Sequence, residues 1–507
     1  MYPPIIAAER PDDTAFVMAA SGTSLTYAEL DRQSNQLAHL LRARGVAAGT
    51  SLLIVMENRI EWPVIVAAGM RSGMFVTPVN RYLSAPELAA LFAEADPAAV
   101  VTTAPLRDAV TEALGEREGV VRLCADGADD NFEDLATAIA DQPDSPIADE
   151  TLGARVMYSG GTTGRPKAFR QQLLGVHPAQ APARHGPLAQ ALGIDSDTVL
   201  LSPAPNYHAA PFTFQLMVLA AGGTVVCMER FDAAAAMTAI ERYQVTHSQW
   251  VPTMLLRLLR LDDRERIPLA PSHRVAVTSG APCPVEVKEQ INDWWGTILH
   301  EYYGASEGYG YTYISAEESR THPGSVGRPL GATKVRIGDR DGTPLPTGAV
   351  GRVYFARPTD AAYRNTDEAT DGSTWRSMGD SGYVDDEGFL YLAGRESFMI
   401  ISGGVNIYPE QIEEVLVTHP DVADAAVFGV PDPEFGERVT ALVELRPGRA
   451  GDAQTARALI EHCRAAMAAF KAPKTIEFVE ALPRTDTGKL NKKNLRADYL
   501  AARSVSR

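Results

Sequence analysis

The sequence predicts an α/β fold: a large N-terminal body of α/β layers, a small β-barrel-like portion appended to it, and a small α+β domain at the end. Three observations predict it. Short apolar runs alternate with amphipathic segments up to about Gly324; from there the texture changes to short β pieces and tight turns; after Gly394 helical and strand periodicities return.

The elements follow in order. "TYAELDRQSNQLAHLLRARG" reads as a helix, because Thr26 and Glu29 form a capping box, Leu30, Leu37 and Leu41 share a face, and Gly45 stops it. "SLLIVMEN", "AAVVTT", "TVLLSPAP", "TVVCM", "RVAVTSG" and "ILHEYYG" read as buried strands of a largely parallel sheet. "DQPDSPIAD" is the most linker-like stretch. "GSVGRPL", "KVRIGDRDGTPL", "GRVYFAR" and "GYVDDEGFLYLAG" are short strands, with Asp385–Gly388 as a hairpin loop. "PEQIEEVLVTHP" is a helix with Pro409 near its start and Ile412, Val415 and Leu416 on one face. "AAVFGV" and "TALVEL" are strands, and "ARALIEHCRAAMAAF" is a further helix. The expected division is 1–394, with a β-rich portion at about 324–394, followed by a mobile domain at 395–507.

The 507 residues are too many for one compact core, and 45% hydrophobic with 22% charged residues is ordinary for a soluble protein. Lys plus Arg number 47 against 64 Asp plus Glu, so the formal net charge is −17. That disfavours nucleic acid or an anionic membrane as the main partner. Cys124, Cys227, Cys283 and Cys463 are scattered without metal-like spacing and read as reduced thiols. "MYPPIIAAERPDD" has no basic region followed by an apolar run, and no apolar stretch is long enough to span a bilayer; the expected location is the cytoplasm.

Several strand-like runs end in small or polar residues. "RVMY" leads into "SGGTTGRPK", "TVLLSPAP" into "NYHAAPF", "RVAVTSG" into "APCP", and "ILHEYYG" into "ASEG". Open α/β sheets bind ligands beyond the carboxyl ends of their strands, so these ends could line one crevice. "YSGGTTGRPKAF", Tyr158–Phe169, has the composition of a phosphate cradle, with backbone N–H groups, hydroxyls and cations. It is no Walker loop, since Gly164 is followed by Arg165 and Pro166, and Lys167 by Ala168. Taken alone, such a loop is more often a solvated turn.

Further stretches join it in order: "YYGASEG" at Tyr302–Gly308, "GD" at Gly379–Asp380, "AGRESFMIISGGVNIYPEQIEE" from Ala393 and "PRTDTGKLNKK" from Pro483. The ordered set resembles the adenylate-forming superfamily of acyl-CoA synthetases, peptide-synthetase adenylation domains and luciferases. Length and "SGGVNIYP" are most similar to the acyl-CoA synthetases. The resemblance spans nearly the whole chain and implies a two-step reaction. A carboxylate attacks the α-phosphate of ATP to give an acyl-adenylate and pyrophosphate, and a thiol, usually that of CoA, then displaces AMP.

The resemblance implies the following roles. Ser159, Thr162, Thr163, Gly164 and Lys167 form the phosphate loop, with Thr162 counted among the catalytic residues. Tyr303 stacks on adenine, Gly280, Ala281 and Pro282 wall it, Ser306 contacts phosphate, and Glu307 holds Mg²⁺. Asp380 accepts from the ribose hydroxyls, Arg395 supplies a second ribose or phosphate contact, and Lys489 bridges the carboxylate and the α-phosphate. His208 stands beside the acyl pocket, with Tyr207, Phe212, Trp250, Tyr302, Gly308, Tyr309 and Gly310 as candidate lining. Trp250 and Tyr309 equally suit core aromatics, and His208 equally suits a structural role. Gly403 and Gly404 match the backbone that passes the pantetheine of CoA. Ser397 and Phe398 depart from the family's charged hinge, on which the C-terminal domain swings between half-reactions.

ATP, Mg²⁺ and CoA are thus the expected small molecules, with a carboxylic acid as substrate; the resemblance also allows a homodimer. Relatives with other acceptors leave alternatives open: amide formation, loading of a carrier protein, or a diazotase that activates nitrite for attack by an aryl amine. A nucleotide-binding protein without turnover is a third reading, which Glu307, Lys489 and the intact loop disfavour.

Overall fold

The computed structural model describes residues 2–159, 167–181, 185–262, 268–304, 308–356, 363–364, 375–395, 398–402, 405–432, 435–467, 469, 471–485 and 490–504. Among these, one sheet runs in the order Arg328–Pro329, Tyr311–Ile314, Leu299–Gly304, Val275–Thr278, His247–Trp250, Val199–Ser202, Thr224–Cys227, Thr14–Met18 and Ser24–Thr26. From Leu299–Gly304 to Thr14–Met18 each neighbouring pair is parallel. A second sheet runs Tyr363–Arg364, Lys167–Gln171, Ala154–Ser159, Phe75–Pro78, Ser51–Val55, Pro97–Thr102, Val121–Cys124 and Glu133–Asp134. The segments nominated as buried parallel strands carry these ladders, and Leu52, Leu53, Val100, Val101, Leu200 and Leu201 are wholly buried.

Helices fill the space between the two sheets. Tyr27–Ala43 begins at the predicted capping box, where the Glu29 amide donates to the Thr26 hydroxyl and the Thr26 amide donates to the Glu29 carboxylate. Its Leu30, Leu37 and Leu41 share one apolar cluster with Phe16 and Val225 of the first sheet, Leu52 and Val76 of the second, and Phe212 and Val218 of helix Ala209–Ala221. On the far side of the first sheet, Met237, Leu255, Ile291 and Trp295 form another cluster. On the far side of the second, Leu88, Phe92 and Val110 do the same. The layers are therefore helix, sheet, helix, sheet, helix.

The stretch 141–149 differs from its linker-like reading. Asn35 donates to the Asp144 carbonyl at 2.7 Å, Arg42 pairs with Asp149 at 3.0 Å, and the His39 ring meets the Ser145 carbonyl at 2.9 Å. Polar side chains of helix Tyr27–Ala43 thus satisfy its backbone and fix its path, which composition does not reveal.

A smaller antiparallel sheet orders Lys334–Gly338, Gly351–Ala356, Trp375–Val384 and Leu390–Arg395. The turn at Asp385–Gly388 closes by Phe389 donating to the Asp385 carboxylate at 2.9 Å. The last sheet joins Ile400–Ser402, Val405–Ile407, Val422–Asp432 and Gly436–Leu445 antiparallel, with Thr475–Val479 added in parallel. Helices Pro409–Thr418 and Ala453–Ala466 bury Ile412, Leu416, Leu459 and Cys463 against it. All four cysteines are free and buried, and burial pushes the Cys227 thiol up to about 12 and Cys463 to about 11. No helix among the described residues is long and apolar enough to cross a membrane.

Candidate active site

Because Val199–Ser202, His247–Trp250, Val275–Thr278 and Leu299–Gly304 run parallel, their carboxyl ends share one edge of the sheet. The residues that follow them include Tyr207, His208, Gly280, Ala281 and Pro282. In the neighbouring sheet Ala154–Ser159 pairs antiparallel with Lys167–Gln171, and Ser159 lies opposite Lys167. The two ends of the Gly-rich loop are therefore held side by side as a hairpin.

One hydrogen bond at this edge joins two sheets. The Tyr303 hydroxyl, at the end of strand Leu299–Gly304, donates to Asp380 Oδ2 at 2.5 Å, in strand Trp375–Val384. Seventy-seven residues separate the partners in sequence. Asp380 is only 7% exposed, so its carboxylate needs such a donor. The Tyr303 ring also packs 5.7 Å from Phe355. Gly379 has φ +82°, which turns the backbone just ahead of the carboxylate. The strand register puts Arg395 opposite Asp380. Gly280, with φ +86°, ends the neighbouring strand, and Gly280, Ala281 and Pro282 are exposed. Gly304 permits close approach of the returning strand, since a Cβ there would lie 2.5 Å from the Tyr311 ring.

The aromatic candidates divide. Tyr207 and His208 lie ring to ring at 4.3 Å, at the start of helix Ala209–Ala221. Tyr302 is buried, 5.9 Å from Phe214 and 6.1 Å from Tyr311. Burial raises the Tyr302 pKa, while Ser279 and the charge of Arg155 pull it back down. Tyr309 packs among the residues of the small sheet. Phe212 and Trp250 are wholly buried and belong to the core. Phe212 meets Trp62 edge-on at 5.4 Å; the Trp250 indole donates to Ser248 Oγ at 2.6 Å and its ring lies 5.7 Å from Trp295. Strand alternation puts the Trp250 ring on the helix-covered face of the sheet, in the cluster of Met237, Leu255, Ile291 and Trp295.

Thr162, Thr163, Gly164, Ser306, Glu307, Ser397, Gly403, Gly404 and Lys489 lie outside the described residues, as do the side chains of Ser159, Lys167 and Arg395. Around Lys489, Arg484 and Leu490 form a bridge, and buried Lys492 pairs with Glu410 at 3.2 Å and Glu413 at 2.8 Å. The Lys492 ammonium also sits 5.6 Å from the Phe398 ring. Two cations passed over in the sequence are thus placed, Lys492 beside Phe398 and Arg155 near Tyr302. The signal for Arg155 was available, since it interrupts the apolar run "GARVMY".

A family model described as AMP-binding enzyme matches residues 5–362, and one described as AMP-binding enzyme C-terminal domain matches 411–489. A long-chain-fatty-acid–CoA ligase, FadD13, of Mycobacterium tuberculosis is 31% identical over 499 residues, covering 96% of this chain and 95% of the relative. Among solved structures, o-succinylbenzoate CoA synthetase from Bacillus subtilis in complex with its acyl-adenylate intermediate has a TM-score of 0.81 at 28% identity, covering 97% of each chain. The amide bond synthetase McbA from Marinactinospora thermotolerans also has a TM-score of 0.81, at 27% identity, covering 98% of this chain and 99% of that one. Matched by its family model over most of its length and by a ligase along nearly all of it, this chain belongs to the AMP-binding enzyme family.

Proposed function

We propose that this chain is an AMP-forming acyl-CoA ligase: it activates a small-molecule carboxylic acid as an acyl-adenylate and passes the acyl group to CoA. The observation that carries the reading is the Tyr303–Asp380 contact at the carboxyl edge of the parallel strands; the Ser159–Lys167 hairpin of the neighbouring sheet supports it.

In the proposed mechanism Tyr303 offers its ring to adenine while its hydroxyl holds the Asp380 carboxylate in place for the ribose hydroxyls. Gly280, Ala281 and Pro282 form the exposed wall, and Arg395, in register with Asp380, adds the second contact. The hairpin ends aim the loop carrying Thr162, Thr163 and Gly164 at the β- and γ-phosphates, with Ser306 as a further phosphate contact. Lys489 stands next to the anchored Leu490–Lys492 segment and supplies positive charge where the carboxylate attacks the α-phosphate. Mg²⁺ would neutralise phosphate charge, with Glu307 as its nominated ligand. His208 and Tyr207 border the acid, and Tyr302 with Gly308–Gly310 closes its far side. CoA approaches past Gly403 and Gly404. The relatives' acids range from long-chain fatty acids to o-succinylbenzoate, so the reading names a carboxylic acid and leaves the acyl group to experiment.

A second reading changes only the acceptor. The chain resembles an amide bond synthetase as closely as a CoA synthetase, and Phe398 under Lys492 replaces a charged hinge residue. Pyrophosphate release over a panel of acids, with and without CoA, and with amines or with nitrite plus aryl amines, tests both. Acid-dependent release followed by a CoA thioester supports the ligase; amide or diazo products with no thioester support the alternatives.

A further inference from the structure

Among the described residues, the buried Lys and Arg side chains follow one rule with one exception. Arg71 is paired with Asp31 at 2.9 Å and Glu150 at 2.9 Å, Lys288 with Glu301 at 2.8 Å, and Lys492 with Glu410 and Glu413. Arg155, 7% exposed in strand Ala154–Ser159, has no carboxylate within ion-pair distance among the described residues. Its hydrogen bonds both leave from one nitrogen: Nη1 donates to the Ala209 carbonyl at 3.3 Å and to Thr213 Oγ1. Nε and Nη2 donate to no described residue. A guanidinium carries five N–H donors and cannot shed its charge, so one that is 7% exposed, with a single engaged nitrogen and no carboxylate beside it, keeps donors that an anion could take.

Its surroundings sharpen the point. Both acceptors belong to the first two turns of helix Ala209–Ala221, whose positive end meets the same space, and the first turn holds no acidic residue. The guanidinium carbon lies 5.6 Å from the Phe212 ring centroid, and the charge of Arg155 is felt at the Tyr302 phenol. The cation therefore sits between the opening turns of helix Ala209–Ala221 and Tyr302 of strand Leu299–Gly304.

We propose that Arg155 and the opening turn of helix Ala209–Ala221 form an oxyanion subsite that takes a second negatively charged group of the acid, so that the enzyme prefers dianionic acids, dicarboxylates or sulfocarboxylates, over their monoanionic counterparts. This rests on the acid-activation reading above. The carboxylate that is adenylated stays at the nucleotide; the second anion is held at Arg155 and takes no part in bond making.

The test compares matched pairs by pyrophosphate release: hexanoate with adipate, butanoate with 3-sulfopropanoate, and benzoate with phthalate. The wild-type ratio of kcat/KM, dianion over monoanion, should reach about 10- to 100-fold for the best-fitting pair, as expected for hydrogen bonds to a charged group. Arg155→Met should bring that ratio to about one or below, mainly through KM, and Arg155→Lys should keep part of it. A wild-type ratio near one for every pair overturns the subsite, as does a ratio that Arg155→Met leaves unchanged. Should Arg155→Met fail to fold, the wild-type ratio and Arg155→Lys still decide. Absence of acid-dependent release with either class defeats the activation reading itself, whereas release without a dianion preference defeats the subsite alone.

Discussion

Replacing Tyr303 by Phe removes one oxygen and leaves the ring against Phe355, which isolates the hydroxyl's work. That hydroxyl donates to Asp380 at 2.5 Å, and the carboxylate is 7% exposed, so water replaces the lost donor poorly. A hydrogen bond to a charged group contributes about 1.5–3 kcal/mol. If Asp380 binds the ribose, part of that energy is orientation of the carboxylate, and ATP affinity should fall by roughly 10-fold. Asp380→Asn keeps the shape but loses the charge, and should weaken ATP by roughly 10- to 100-fold. The two changes act on one unit, so the double variant should lose less than the sum, with a coupling of about 1 kcal/mol or more. Calorimetric titration of ATP into the four proteins measures it. Additivity within about 0.5 kcal/mol, or ATP affinity untouched by either change, would refute a nucleotide seat built on this pair.

Other expectations are more local. Lys489→Ala should cut acid-dependent pyrophosphate release about 100-fold or more while ATP still binds, because a preorganised charge is lost where charge develops; near wild-type release would remove Lys489 from the chemistry. Trp250→Ala should lower stability by about 3–5 kcal/mol, read by denaturant unfolding, without re-ranking a panel of acids, since the ring is wholly buried against Trp295. Glu414, in helix Pro409–Thr418, is pushed up to about 7 by burial, against the pull of Lys288 from helix Val285–Trp295; Glu286, Glu410 and Glu413 add to the rise. A carboxyl raised above its unfolded value contributes stability that is full below about pH 4.5 and is lost as pH rises through about 7. Glu414→Gln should therefore leave Tm near wild type at pH 5 and raise it relative to wild type at pH 8, where the gain in stability has an upper bound of about 3 kcal/mol; an equal Tm difference at both values would contradict that sign.

Local rules carried much of the architecture. The capping box at Thr26 and Glu29 and the apolar runs at Leu52 and Val100 depend on neighbours in sequence, so they were legible there. The strand ends pointed to one crevice because parallel pairing leaves them on one edge. Contacts between distant residues were not legible: nothing near Tyr303 announces Asp380, and nothing near Asn35 announces the Asp144 carbonyl that it pins. The aromatic candidates stayed open for a related reason. Trp250 closes the polar strand His247–Trp250, a place that suits a pocket or a core residue equally, and the fold buries its ring against Trp295. Arg155 was visible as a charge in an apolar run, but its want of a carboxylate partner is a fact of packing, which only the assembled helix and strands reveal.

The most direct measurement separates the two half-reactions in one preparation. Hydroxylamine traps an acyl-adenylate as a hydroxamate, and mass spectrometry reports the acyl-CoA. With ATP and a competent acid, hydroxamate should form without CoA; adding CoA should divert the same acyl group into thioester with stoichiometric AMP. Gly404→Leu, if folded, should keep the first product and lose the second, since a bulky side chain would stand where pantetheine passes. Hydroxamate from wild type with no CoA thioester across a broad acid panel would contradict transfer to CoA, and AMP release that depends on nitrite and an aryl amine would replace it with diazo chemistry.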